Sequence, residues 1–82
     1  MNAKQLAEWI LQQPEHIQNG AVTGVVHGSL FTAKRVVAYE TGSDAGIYIE
    51  PMGTHVFTVA GMRYPSFIDA YGNITNNPEA AR

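Results

Sequence analysis

The chain has 82 residues, 45% of them apolar and 15% charged, which suits one small globular domain and excludes a disordered tail, a collagen-like chain or a coiled coil. Seven acids against five bases leave a net charge of −2, without the basic stripe that binding to a nucleic-acid backbone requires. With no cysteine, disulfides, thiolate zinc sites, iron–sulfur clusters and cysteine nucleophiles are excluded.

Residues 3–13, AKQLAEWILQQ, predict a helix. Ala3, Leu6, Ala7 and Ile10 recur at helical spacing, with Trp9 beside them. Asn2 is a good N-cap, and Gln5 stands three residues on, where it can reach back in a capping box. Pro14 disfavours helix at Gln13 and stops the run. The stretch 14–20, PEHIQNG, reads as a connector ending in an Asn-Gly turn.

Beyond it, β-branched and aromatic residues dominate and glycine recurs at short intervals. Gly28-Ser29 suits a two-residue hairpin turn. Residues 42–45 separate RVVAYE from GIYIE, and residues 51–54 separate that strand from HVFTVA. Ala60-Gly61 is a weaker break. Residues 69–73 predict a type I turn with Gly72 left-handed. The expected fold is α+β: one helix on a four- to five-stranded antiparallel meander with a short C-terminal hairpin. A single domain over residues 1–75 is expected, with a frayed tail over 76–82.

Closing these turns symmetrically sets Tyr39 opposite Tyr48, Tyr48 opposite Phe57, and Phe57 opposite Tyr64. Val22, Val26, Phe31, Val37 and Val59 share that aromatic face by alternation. The lone helix is assigned to it, with Trp9 buried beneath Leu6 and Ile10. The opposite face carries Val36, Ala38, Ile47, Ile49 and Val56, and has no second helix to cover it. An apolar patch of this kind marks an interface unless a bulge swaps the faces midway or the C-terminal hairpin folds over it.

Motifs for chemistry are few. His16, His27 and His55 match no zinc spacing, so no metal and no cofactor is expected. His55 falls opposite Glu50 in the trial register, where a polar cross-strand pair is a plainer reading than a general base. Ser29, Ser43 and Ser66 sit in or near turns, outside any nucleophile elbow. No glycine-rich loop precedes a helix. The protein is therefore expected not to be an enzyme.

Between Arg35 and Arg63 the chain has no lysine or arginine, but has Glu40, Asp44 and Glu50. All three are expected near the tip of the second hairpin or on the strand leaving it, either as solvated acids that keep the protein soluble or as a negative end that steers a basic partner. No apolar run approaches the ~20 residues of a membrane helix, and the opening Met1-Asn2-Ala3-Lys4-Gln5, with Glu8 close behind, is not a secretory pattern. The absence of stapling cysteines points to the cytoplasm.

The opening MNAKQLAEWILQQPEHIQNGAV, with its capped helix and proline stop, and the later YETGSDAGIYIEP resemble the small accessory proteins of phages and prophages, anti-CRISPR inhibitors of host defence among them. The resemblance lies in size and layout along most of the chain and includes no diagnostic motif. It implies a non-enzymatic protein that acts in the host cytoplasm by occluding a protein or ribonucleoprotein partner with a basic surface. The alternative is a structural homo-oligomer or phage assembly component, with a homodimer formed through the aliphatic face. A small enzyme or ligand carrier ranks last.

Overall fold

The computed structural model describes residues 1–24, 33–51 and 62–76. Helix α1 spans Ala3–Leu11 and a single-turn helix α2 spans Glu15–Gln18. Among the described residues five strands follow: β1 (Ala21–Gly24), β2 (Ala33–Glu40), β3 (Ala45–Pro51), β4 (Arg63–Asp69) and β5 (Ile74–Asn76). The class is α+β, as expected.

The start of α1 follows the expected capping box. Asn2 Oδ1 accepts from the Gln5 N–H at 2.8 Å, and Gln5 Oε1 accepts from the Asn2 N–H at 2.8 Å. At the other end, α1 stops two residues before the predicted limit, with Gln12 as its C-cap. Gln13 turns inward and donates to the Trp9 carbonyl, while Gln18 donates to the Gln13 carbonyl at 2.7 Å. Gln18 thus satisfies a carbonyl beyond the last helical turn, and the Trp9 carbonyl accepts from Gln13 Nε2 in addition to the Gln12 N–H. The connector predicted after Pro14 contains α2. The Pro14 carbonyl accepts from the Ile17 and Gln18 N–H groups, and Ile17 is fully buried.

The sheet is mixed, not an antiparallel meander. Its order is β1-β3-β2-β4-β5, with β1 parallel to β3 and every other pair antiparallel. The physical reason lies at β3. Strand β1 leaves α2 and occupies the far edge of β3, so β4 pairs with the other side of β2. Close backbone approach there depends on glycine: a Cβ on Gly46 would lie 2.2 Å from the Ala21 carbonyl oxygen.

The β2–β3 connection is Thr41–Asp44, one residue earlier than predicted. Tyr39 consequently opposes Gly46, and Val37 opposes Tyr48. This two-residue slip leaves each side chain on its expected face. Tyr39, Tyr48, Tyr64 and Met62 pack together, so most of the aromatic row survives as a cluster. Phe57 and the hairpin at Gly28-Ser29 lie outside the described residues, as do the turn after Pro51 and the Ala60-Gly61 break. Of the tail expected over 76–82, Asn76 is instead the last residue of β5, opposite Ser66, and residues 77–82 lie outside the described residues.

The face assignment is reversed. Trp9 and Ile17 pack with Val36, Ala38, Ile47 and Ile68, and Leu6, Ile10 and Ile49 close around them. The helix therefore covers the aliphatic face, for which an interface, a face-swapping bulge or cover by the C-terminal hairpin are the sequence readings. Val36, Ala38 and Ile47 are buried inside the chain's own core, and Ile49 packs against it. Val56 lies outside the described residues. Ala38 and Ser66 oppose each other across β2 and β4. Two small side chains at that point leave room for an indole, which a row of tyrosines would not. Val22, expected under the helix, is exposed on β1.

The predicted turn after β4 forms as expected. Gly72 has φ +86°, the left-handed region that favours glycine. Its N–H donates to the Asp69 carbonyl, and the Asp69 N–H donates to the Asn73 carbonyl.

Candidate functional site at the sheet end

The residues assigned to the acidic end separate into two environments. Glu40 precedes the Thr41–Asp44 turn and Asp44 closes it. Glu50 lies at the other end of β3 and is 0% exposed. Its placement at an exposed partner surface is therefore corrected.

Glu50 is held by Lys34 and Arg35. A bulge in β2 between Ala33 and Arg35 sets two residues against one on β3. Arg35 Nε donates to Glu50 Oε2 at 2.9 Å, and Lys34 Nζ stands 3.4 Å from Oε1. The Arg35 guanidinium also lies over the Phe67 ring, 5.0 Å from its centroid. Glu50 Oε1 accepts no hydrogen bond among the described residues. The Lys34-Arg35 pair therefore neutralises a buried carboxylate, a role that its sequence position did not suggest. The expected His55–Glu50 pair involves a residue outside the described set.

At the other end of the sheet, α2 brings His16 to β2. His16 Nε2 lies 2.6 Å from Glu40 Oε2, and Arg63 Nε lies 3.8 Å from Oε1. Arg63 reaches Glu40 because β4 pairs with β2, with a register shift between Ala38 and Glu40. One carboxylate thus links three elements. Glu15, exposed at the start of α2, adds a third acid to this end. The sequence reading missed both His16 and Glu15. The signal was present as a proline followed by an acid, a helix-start pattern that four residues make easy to overlook.

His16, Gly20 and residues 41–45 line an open cleft of about 360 Å³. One wall is the β2–β3 turn, fixed by its own hydrogen bonds. Thr41 Oγ1 accepts from the N–H groups of Ser43 and Asp44, and the Thr41 N–H donates to the Asp44 carbonyl at 2.7 Å. Asp44 Oδ1 accepts from the Ala45 N–H at 2.9 Å. The His16 side chain is 57% exposed.

Among the described residues no group of three or more His, Asp or Glu could hold a metal ion, and no helix is long and apolar enough to cross a membrane. What the fold and site define is a small α+β domain with a polar cleft at one sheet end. No protein-family model, curated protein or solved structure matches the chain.

Proposed function

We propose that this is a non-enzymatic binding protein that engages a basic partner with the end of its sheet formed by α2 and the β2–β3 turn. The observation that carries this reading is the convergence of Glu40 and Asp44 on a turn already fixed by internal hydrogen bonds, with Glu15 on the adjoining helix. A preorganised loop on a sheet scaffold loses little freedom on binding. Three acids against Arg63 keep this end negative, which accelerates encounter with a positive surface.

His16 shares Glu40 with Arg63, and this arrangement supports a positioning role for the imidazole over that of a catalytic base. In view of the likeness to phage accessory proteins, the partner is a protein or ribonucleoprotein of a bacterial defence complex, met in the host cytoplasm. The homo-oligomer alternative loses its main support, because the aliphatic face is occupied by α1.

The test is capture of partners from a bacterial lysate, identification by mass spectrometry, and measurement of association rates with the purified partner. Glu15→Gln/Asp44→Asn should slow association at low salt, and the difference from the parent should shrink as salt rises. Glu50 is left intact, because its replacement would perturb folding. An unchanged rate at low salt would overturn the proposal.

A further inference from the structure

We infer that the cleft between α2 and the β2–β3 turn accepts a single guanidinium group, an arginine side chain of the basic partner. This rests on the binding reading above and names what the site takes. Its volume of about 360 Å³ lies near the lower end of the ~300–1,000 Å³ typical of ligand pockets. That suits one side chain and not a cofactor. Close backbone contact shuts the floor, since a Cβ on Gly20 would lie 1.9 Å from the Ala45 carbonyl oxygen.

The hydrogen-bond inventory of the lining, together with its carboxylate, favours a cation. An anion would draw first on the backbone N–H donors of the turn. Those of Thr41, Ser43, Asp44 and Ala45 are committed within the turn, to the Asp44 carbonyl, Thr41 Oγ1 and Asp44 Oδ1, and that of Gly20 to the Ile17 carbonyl, which leaves Gly42 as the turn residue whose N–H could still face a ligand. The lining keeps the Asp44 carboxylate, and Glu40 stands behind His16. A cation is the complement of such a wall. Guanidinium fits better than ammonium because it is planar, weakly hydrated and able to stack on an aromatic ring. The half-exposed imidazole of His16 supplies that ring at the cleft wall.

The full chain, labelled with nitrogen-15, is titrated with N-acetyl-arginine methylamide, its lysine counterpart, and the neutral citrulline counterpart of the same shape. The arginine compound should move the amide signals of His16, Gly42, Ser43 and Asp44 along a saturating curve in the millimolar range. Lysine should bind more weakly, and citrulline should give no saturation. Asp44→Asn should abolish the effect. Asparagine can still accept the Ala45 N–H, so unchanged spectra elsewhere verify the fold. Equal shifts with citrulline, persistence of the arginine shifts in Asp44→Asn, or silence of these residues would overturn the inference. If the cleft is silent while Glu15→Gln/Asp44→Asn still slows partner association, the guanidinium site falls and the acidic-end reading stands. If arginine saturates the cleft but the double variant associates at the parent's rate, the site stands and that reading falls.

Discussion

Trp9 Nε1 donates a 2.8 Å hydrogen bond to Ser66 Oγ across 57 residues of chain, inside a core where the indole is 0% exposed. Ser66 Oγ donates onward to Asn76 Oδ1 at 2.8 Å. This relay ties α1 to β4 and β5. It also explains how an indole N–H can be buried without the penalty of an unmade hydrogen bond.

Trp9→Ala should therefore destabilise the domain by about 3–5 kcal/mol, a large part of the total stability of a domain this size. Ser66→Ala should cost less, about 1–3 kcal/mol, since it leaves the indole donor unpaired but keeps the packing. Denaturant unfolding gives both values. Native tryptophan emission should be blue-shifted and move red on unfolding. Water-like emission in the native state would refute the buried position.

Trp9 also shows how far the sequence reaches. Its burial, the capping box and the Gly72 turn are local or follow from size and periodicity, so they were legible. Which sheet face it covers was not. That choice turned on Ala38 and Ser66 lying opposite each other, and their pairing requires β4 to sit beside β2. Strand order depends on β1 taking the edge of β3, a long-range contact with no local signal. The same cause hid the site. Glu40 and Asp44 were legible as hairpin-end acids, whereas His16 meets Glu40 only through the docking of α2. Glu50 looked like a third member until the β2 bulge turned both Lys34 and Arg35 toward it.

The Lys34–Arg35–Glu50 arrangement predicts unequal effects from its two cations. Arg35 is 20% exposed at its side chain and hydrogen-bonded to Glu50, whereas Lys34 is 45% exposed and makes no hydrogen bond to it among the described residues. Removing the main partner of a buried charge costs about 3–5 kcal/mol, and Arg35→Met should fall in that range. Lys34→Met should cost at most about 1 kcal/mol, as for a solvent-screened pair. Comparable losses in urea unfolding would show that the two cations share the carboxylate equally.

Gly72 is the position where backbone conformation, not packing, should limit substitution. At φ +86° an alanine is strained by about 1–2 kcal/mol. Its Cβ would also come within 2.7 Å of Gln5 Nε2, but that is the end of a flexible side chain and can move. Gly72→Ala should lower stability by about this amount, and Gly72→Asn by less, because asparagine tolerates the left-handed region. Equal losses for the two would point to the Gln5 contact as the dominant cost. Thermal unfolding of the two variants, alone and with Gln5→Ala, separates the causes.

Asp69 gives stability a defined acid dependence. Its carboxylate accepts from the Asn73 N–H at 3.0 Å and the Tyr71 N–H at 2.9 Å, and the bond from Asn73 is the leading cause that holds its pKa below the ordinary 3.8. A carboxylate whose folded pKa is depressed binds a proton more readily in the unfolded chain. Its contribution is therefore fully present above the unfolded value near 3.8. It declines as pH falls through that value and is gone once pH passes below the folded pKa. Asp69→Asn keeps an oxygen able to accept both N–H groups but removes the titration. The variant should consequently lose less stability than the parent on acidification below about pH 4. Above that pH its own stability should be nearly constant as far as this group is concerned. Urea unfolding at a series of pH values from neutrality to pH 2 provides the comparison. Parallel stability curves for parent and variant through the acid range would show that the turn hydrogen bonds do not discriminate between the charged and neutral carboxyl, and that Asp69 acts only as a geometric cap for the Gly72 turn.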